Sequence, residues 1–316
     1  MRYVVTGGAG FIGSHITESL LNSKNQVLVI DNFDSLLYSS QTKKDRISKF
    51  FGDENFDFQE IDLNSADIFP LIDEGDTIIH CAGLPGQFLS WDYLRQYSEA
   101  NLQATDNLAK AALKSGVRRI VFSSTSSIYG KIADSKKSRE FVPFSPYGVT
   151  KLAAEHLFNC YSQNFGLDVV ILRYFSVYGP GQRPDMAIQI FLNSILNGDL
   201  IKIHGDGSQI RDFTYVKDCA DGTIAAARGG VAGRTYDISG GTQYSVKEVL
   251  SVCQEVTGIE AKIEYSARII GDQEITSGNL SDAGKDFNYS PSTALLDGIR
   301  AQWEEVLANR ERMSEE

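Results

Sequence analysis

Tyr147 and Lys151 stand four residues apart in a stretch that begins at Pro146. On a helix, positions i and i+4 share a face, so both side chains can enter one site. A lysine ammonium near a phenol favours the phenolate and lowers its pKa, which makes tyrosine a usable base near neutrality. Tyr-x-x-x-Lys alone is common by chance, and its weight here comes from a second motif upstream. Thr6-Gly7-Gly8-Ala9-Gly10-Phe11-Ile12-Gly13 follows an apolar run and precedes a helical pattern. Gly7, Gly10 and Gly13, at three-residue spacing, suit a tight turn, close backbone approach to a pyrophosphate and close helix–sheet packing. The N-terminus of the helix that follows the motif offers free N–H groups and a positive dipole end to phosphates, and Phe11 and Ile12 within the motif are cofactor-binding candidates. Asp31 lies 18 residues beyond Gly13, at the end of the next apolar run. A carboxylate there accepts from adenosine ribose hydroxyls and repels the extra phosphate of NADP. Asn32 and Phe33 follow with no arginine close by, so NAD is the expected cofactor. Asp62 and Leu63, after a third run, are candidates to face the adenine; a loop cap is the other reading of Asp62.

These side chains need a scaffold. Strand-like runs at residues 3–6, 27–30, 56–61, 77–80, 119–123 and 168–172 alternate with helical patterns at 14–23, 43–51, 98–115 and 146–164. Short connections between them predict α/β architecture, a Rossmann doubly wound parallel sheet covered on both faces. After Ser176 the pattern is broken by Gly179-Pro180-Gly181 and Pro184. Helices are expected at 186–196, 217–228, 245–257 (Ser245 as cap) and 295–309, and strands at 200–204, 234–238 and 261–265. Residues 311–316 are expected to fray. The expected organisation is an NAD-binding domain of residues 1–175 with 214–240, and a smaller C-terminal α/β substrate-binding lobe of 176–213 and 241–316.

The 316 residues carry 41 acidic against 30 basic side chains, a net charge of −11. That balance argues against nucleic acid as the partner. No apolar stretch is long enough to span a bilayer and no leader pattern precedes the first run, so a cytoplasmic protein without a membrane partner is expected. Cys81, Cys160, Cys219 and Cys253 are scattered, which predicts reduced, mostly buried thiols. The four histidines show no metal spacing, and no metal is expected.

The combination resembles the extended short-chain dehydrogenase/reductase family of nucleotide-sugar enzymes. The likeness runs through the glycine motif, Asp31, His80-Cys81-Ala82-Gly83, Asn101, the Ser123–Gly130 segment and Tyr147/Lys151. It continues through Arg173-Tyr174-Phe175, Gly179-Pro180, Gly205-Asp206-Gly207 and Arg211-Asp212-Phe213. It implies a Rossmann domain carrying NAD, with Asn101, Ser123 and Tyr174 near the cofactor, a lobe carrying a nucleotide sugar, and a homodimer. It also implies that Thr125 hydrogen-bonds the reacting sugar oxygen beside Tyr147. The 4,6-dehydratases of the family carry Asp and Glu at the next two positions, and the UDP-glucuronate decarboxylases usually carry Glu at the second. Here stand Ser126 and Ser127, as in the epimerase pattern.

The run Arg183-Pro184-Asp185-Met186-Ala187 resembles the UDP-glucuronic acid 4-epimerases of that family, in which this arginine is associated with the substrate carboxylate. A guanidinium fork matches a carboxylate bidentately. Ser126, Ser127 and Ser176 could complete that pocket; a pyrophosphate-facing Arg183 is the other reading. Arg211 and Arg268 resemble the family's UDP-phosphate contacts, Asp272 is a candidate for the uridine ribose, and Pro85 and Gly86 for the sugar. The expectation is an NAD-dependent UDP-sugar 4-epimerase, with UDP-glucuronate the favoured substrate. UDP-glucose or UDP-N-acetylglucosamine is the alternative; a dehydratase or decarboxylase, and a non-catalytic NAD-binding sensor, stand further off.

Overall fold

The computed structural model describes residues 1–136, 140–268 and 272–315, with side chains to 312. Lys137 to Arg139, Ile269 to Gly271 and Glu316 lie outside the described residues. The strands are β1 Arg2–Thr6, β2 Gln26–Asp31, β3 Phe56–Glu60, β4 Thr77–His80, β5 Arg119–Thr125, β6 Ile132–Asp134, β7 Val169–Tyr174 and β8 Val177–Tyr178. They continue with β9 Leu200–His204, β10 Ile210–Asp212, β11 Thr214–Tyr215, β12 Thr235–Ile238, β13 Gln243–Ser245, β14 Lys262–Ser266 and β15 Ile275–Ser277. The helices are α1 Phe11–Asn22, α2 Ser40–Ser48, α3 Leu94–Ser98, α4 Ala104–Ser115 and α5 Pro146–Phe165. After them come α6 Ala187–Asn197, α7 Val216–Gly229, α8 Val246–Thr257, α9 Ser281–Phe287 and α10 Leu295–Glu315.

Seven strands form one parallel sheet in the order β12-β7-β5-β4-β1-β2-β3. The Val- and Ile-rich strands β4 and β7 are buried along their whole length, as a sheet covered on both faces requires. Val5, Val29, Val121 and Leu172 pack with Ile16, Leu20, Ile224 and Phe287, from α1, α7 and α9, on one face. Val4, Leu28, Ile78 and Ile171 pack with Leu108 and Phe158, from α4 and α5, on the other. The chain order reverses between β1 and β4, and there the carboxyl ends of the strands open a crevice.

The remaining elements form a smaller lobe. Ile188, Leu192, Ile201, Leu250 and Ile299 make a core among α6, β9, α8 and α10. A mixed sheet, β13-β10-β15-β6, draws its edge strand from residues that precede α5. The lobe is therefore stitched to the large sheet from both ends of the chain.

Three expectations change. The helix expected over 98–115 is two α-helices joined by a π-helical turn, Glu99–Gln103. The last helix runs on to Glu315, through residues expected to fray. Two thiols are buried, Cys219 and Cys253, whereas Cys81 is half-buried and Cys160 exposed. Cys160 lies on α5, and its burial depends on which side of that helix it occupies.

A buried ion pair fixes α5 to the sheet. Arg173 on β7 donates to Glu155 on α5 through Nη2 at 2.7 Å and Nε at 3.0 Å. Ser124 on β5 donates to the same carboxylate. Arg173 Nη1 also donates to the Tyr129 hydroxyl at 2.9 Å, which donates to Asp237 on β12 at 2.8 Å. Both partners of the ion pair are nearly out of water, at 9% and 3% side-chain exposure. Glu155→Ala leaves the guanidinium buried without its counter-charge. We expect a loss of about 3–5 kcal/mol in unfolding free energy, read by urea titration.

Candidate active site

A cleft of about 310 Å³ opens at the reversal point. Every residue singled out for the cofactor lines it: Gly7, Gly10, Phe11, Ile12, Gly13, Asp31, Asn32, Asp62, Leu63, Asn101, Ser123, Tyr147, Lys151 and Tyr174. Gly7 has φ +70°, and a Cβ there would sit 2.5 Å from the Ala82 nitrogen on the segment after β4. A Cβ on Gly13 would collide with the Gly7 carbonyl oxygen. Gly10 caps α1 without a side-chain bond, and the first turn holds no acidic residue. Its N–H groups are left for an anion, and this cradle fits a dinucleotide pyrophosphate.

Asp31 accepts from the Ala9 nitrogen at 3.1 Å and the Phe33 nitrogen at 2.8 Å, which fixes its carboxylate beside the glycine turn. Burial pushes its pKa up; Lys43 and those two hydrogen bonds pull it back. Asp62 caps a loop and also lines the cleft. It accepts from the Asn64 nitrogen at 2.8 Å as a loop cap, and from Asn32 Nδ2 at 3.1 Å on the cleft wall. Asn101 sits in the π-helical turn and spends its amide inside the protein, on Leu84 and, at 3.0 Å, on Thr150. It holds the loop after β4 against α5. His80 is buried between Thr6 and Thr105, and burial drives its pKa down to about 3.

Tyr147 and Lys151 come from the first turns of α5, where Ser145 caps the helix on the Gly148 nitrogen. Thr125 at the end of β5 is the side chain that most lowers the pKa of the Tyr147 phenol, and the Tyr147 ring lies edge-on to Tyr97 at 6.2 Å. Burial raises the phenol pKa, opposed by Thr125 and then by Arg183. The cation that bears on the phenol is thus Arg183 rather than the expected Lys151. The Lys151 ammonium lies 4.1 Å over the Phe122 ring. Burial lowers its pKa to about 8, against the pull of Cys81 and Glu155.

Arg183 and Pro85 line the same cleft. Gly86 lies against Arg183, with space for a Cβ 3.6 Å from Nη2. Ser126 and Ser127 are buried in the turn after β5, and Gln87 Nε2 donates to Ser127 Oγ at 3.1 Å. Ser176 is half-buried and its carbonyl accepts from the Thr214 nitrogen at 3.2 Å. The loop carrying Arg183 is tied down by His15 on Pro180 (2.8 Å), Arg46 on Gly181 (2.6 Å) and Gln302 on Gly179 (3.0 Å). Arg211 and Asp272 pair at 2.7 Å in a second cluster on the lobe. Arg268 is half-exposed, 3.3 Å from Glu274. Gln273 spans the two clusters: it accepts from Gln87 at 3.3 Å and donates to the Gly130 carbonyl at 2.7 Å.

Sequence reading gave no role to Glu155, Arg46 or Gln273. Glu155 had a signal, since it stands four residues beyond Lys151 on the same helical face. Arg46 and Gln273 act across long chain separations and had none.

Fold and cleft together define an NAD-binding Rossmann enzyme with a tyrosine, a lysine and a hydroxyl gathered at the carboxyl edge of the sheet. The family model "NAD dependent epimerase/dehydratase family" matches residues 3–239, and the chain belongs to that family. It is an NAD-dependent enzyme of the nucleotide-sugar epimerase group. It is 39% identical to an uncharacterized UDP-glucose epimerase, YtcB, of Bacillus subtilis strain 168, over 95% of this chain and 96% of that one. It is 35% identical to a UDP-glucuronate 4-epimerase of Thermodesulfobacterium geofontis, over 94% of each. The structure is similar to that of the UDP-glucuronic acid 4-epimerase from Bacillus cereus in complex with UDP-glucuronic acid and NAD. The TM-score is 0.92 at 35% identity, over 98% of this chain and 100% of the other. Among the described residues no helix is long and apolar enough to cross a membrane, and no cluster of His, Cys, Asp and Glu could hold a metal ion.

The glycine contacts yield a direct expectation. Gly13→Ala pushes α1 away from the Gly7 carbonyl, so NAD affinity falls by about tenfold or more, the scale of ~1–3 kcal/mol of overpacking strain. Calorimetric titration with NAD checks it.

Proposed function

We propose that the chain is a UDP-sugar 4-epimerase whose preferred substrate is UDP-glucuronate, converted to UDP-galacturonate. The carrying observation is the Arg183 guanidinium, buried in the cleft that also holds Tyr147 and Lys151. In this reading NAD, when bound, supplies reversible oxidation of sugar carbon 4 to a ketone. Gly7, Gly10 and Gly13 cradle its pyrophosphate and Asp31 takes the adenosine ribose. Tyr147 accepts the proton of the carbon-4 hydroxyl, relayed by Thr125, and gives it back after the sugar has turned over. Lys151 holds the nicotinamide ribose, while the charge that bears on the phenol is that of Arg183. Arg211 and Asp272 take the nucleotide end, which stays anchored while the sugar rotates about its bond to the pyrophosphate.

A 4-keto uronate carries its ketone β to the carboxylate and is prone to lose carbon dioxide. Arg183, with the Ser126, Ser127 and Ser176 hydroxyls, holds the carboxylate away from the geometry of that loss. UDP-glucose remains the second reading. The relative named as a UDP-glucose epimerase favours it, as does the ion pair of Arg183 with Asp185, which leaves no bare charge opposite a neutral sugar.

Three outcomes test the reading. Tyr147→Phe removes the proton acceptor and loses nearly all epimerisation while still binding NAD, by coupled assay and calorimetry. Arg183→Ala weakens UDP-glucuronate and releases keto-pentose product; unchanged affinity and turnover would sink the carboxylate role. Lys151 carries its charge below pH about 8 and sheds it above. NAD affinity therefore declines as pH rises through that value, and the dependence disappears in Lys151→Met.

A further inference from the structure

Arg183 does not face the cleft with all its donors free. Its Nε donates to Asp185 Oδ1 at 2.9 Å and its Nη2 to Asp185 Oδ2 at 2.8 Å. This is the side-on bidentate arrangement, which uses one edge of the guanidinium. Nη1 donates to no other described residue, and Nη2 keeps a second hydrogen. The end-on edge, Nη1 with Nη2, is thus available as a second fork. Exposure differs across the pair: the arginine side chain is 12% exposed, and the aspartate, at 44%, stands toward water. The carboxylate backs the guanidinium from outside while the cation lines the cleft beside Gly86.

The backbone beneath this pair is also held. Arg46 and Glu305 both bond Gly181, and His15 bonds Pro180. One residue, Gln182, separates the Gly181 anchor from Arg183, so the stem starts from a fixed point. A long arginine on a fixed stem can still swing, and a planar fork recognises a carboxylate only when its plane is set. Asp185 sets that plane. It also neutralises a buried guanidinium when no acidic ligand is there, a state otherwise costly.

We propose that Asp185 is the positioning residue of the substrate-carboxylate site: it grips the outer edge of Arg183 and aims the inner edge at the acidic group of the sugar. This rests on the carboxylate reading of Arg183. Asp185 touches no reacting atom; it sets selectivity for an acidic over a neutral sugar through the orientation of its neighbour. The Pro184 ring between the two limits the backbone freedom of the segment and favours the two-residue spacing that closes the pair.

The test uses the NAD-loaded protein and measures dissociation constants for UDP-glucuronate and UDP-glucose by calorimetry. Asp185→Asn is expected to weaken UDP-glucuronate about tenfold, the scale of one charge-assisted hydrogen bond, and UDP-glucose much less. Asp185→Glu, which can rebuild the bidentate pair, is expected to recover most of the loss. Equal weakening of both ligands, or no change in either, overturns the proposal, because the first marks general loop damage and the second an idle ion pair. Arg183→Ala is titrated alongside. If it also leaves UDP-glucuronate binding intact, the carboxylate reading itself falls. If it loses that binding while Asp185→Asn does not, only the role of Asp185 falls.

Discussion

The buried pair of Glu155 and Arg173 is the interaction on which the rest of the site depends. Tyr147, Lys151 and Glu155 follow one another at four-residue intervals on α5, so one helical edge carries the phenol, the ammonium and the anchor. Glu155 ties that edge to β7 through Arg173 and to β5 through Ser124. Thr125 is the next residue on β5, and it meets the Tyr147 phenol. A shift of α5 along the sheet would disturb the ion pair and the placing of the phenol together. Glu155 also opposes the loss of charge at Lys151, so the anchor acts electrostatically as well as mechanically.

The acidity of the whole chain, −11, is a poor guide to the ligands of its cleft. Backbone N–H groups at the opening of α1 carry no formal charge and still attract phosphate. The three candidate arginines for the sugar nucleotide are each held by an acidic neighbour: Arg183 by Asp185, Arg211 by Asp272, and Arg268 by Glu274. The molecule thus presents aimed donors without net positive charge, which suits ligands with a few fixed anionic groups better than a long polyanion.

Sequence reading reached the large sheet because its signals are local. Buried parallel strands read as short Val/Ile runs, and the glycine motif needs its neighbours within a dozen residues. It located β4 and β9 to the residue, since both are bounded by turn residues. It missed β6, β8, β10, β11, β13 and β15, which are two or three residues long and too short for any periodicity to register. Those strands exist because distant segments supply their partners, as Ile132–Asp134 meets Ile275–Ser277. The π-helical turn at Asn101 left no compositional mark, and the bonds of Asn101 to Leu84 and Thr150 reach across 17 and 49 residues. Candidate site residues on glycine turns and strand ends were legible, whereas those acting across the lobe junction were visible only in three dimensions.

The same geometry links substrate choice to the strength of the base. Burial raises the Tyr147 pKa, and the groups that lower it are Thr125 and Arg183. Under the proposed function, a substrate carboxylate on Arg183 spends part of the field that the guanidinium exerts on the phenol. An acidic sugar is therefore better held and harder to deprotonate, and a neutral one the reverse. The conflict is resolved only if a second cation, insulated from the substrate carboxylate, attends the phenol when the site is filled. Under the proposed function Lys151 takes that part once the cleft is filled, the phenol otherwise answering to Arg183. It comes from the same helix face as Tyr147, lies over the Phe122 ring, and has a pKa lowered by burial to about 8, where a gain in nearby negative charge favours its protonated form. On that proposal two nearly buried cations divide the work of one cleft, Arg183 taking the sugar acid and Lys151 the phenol.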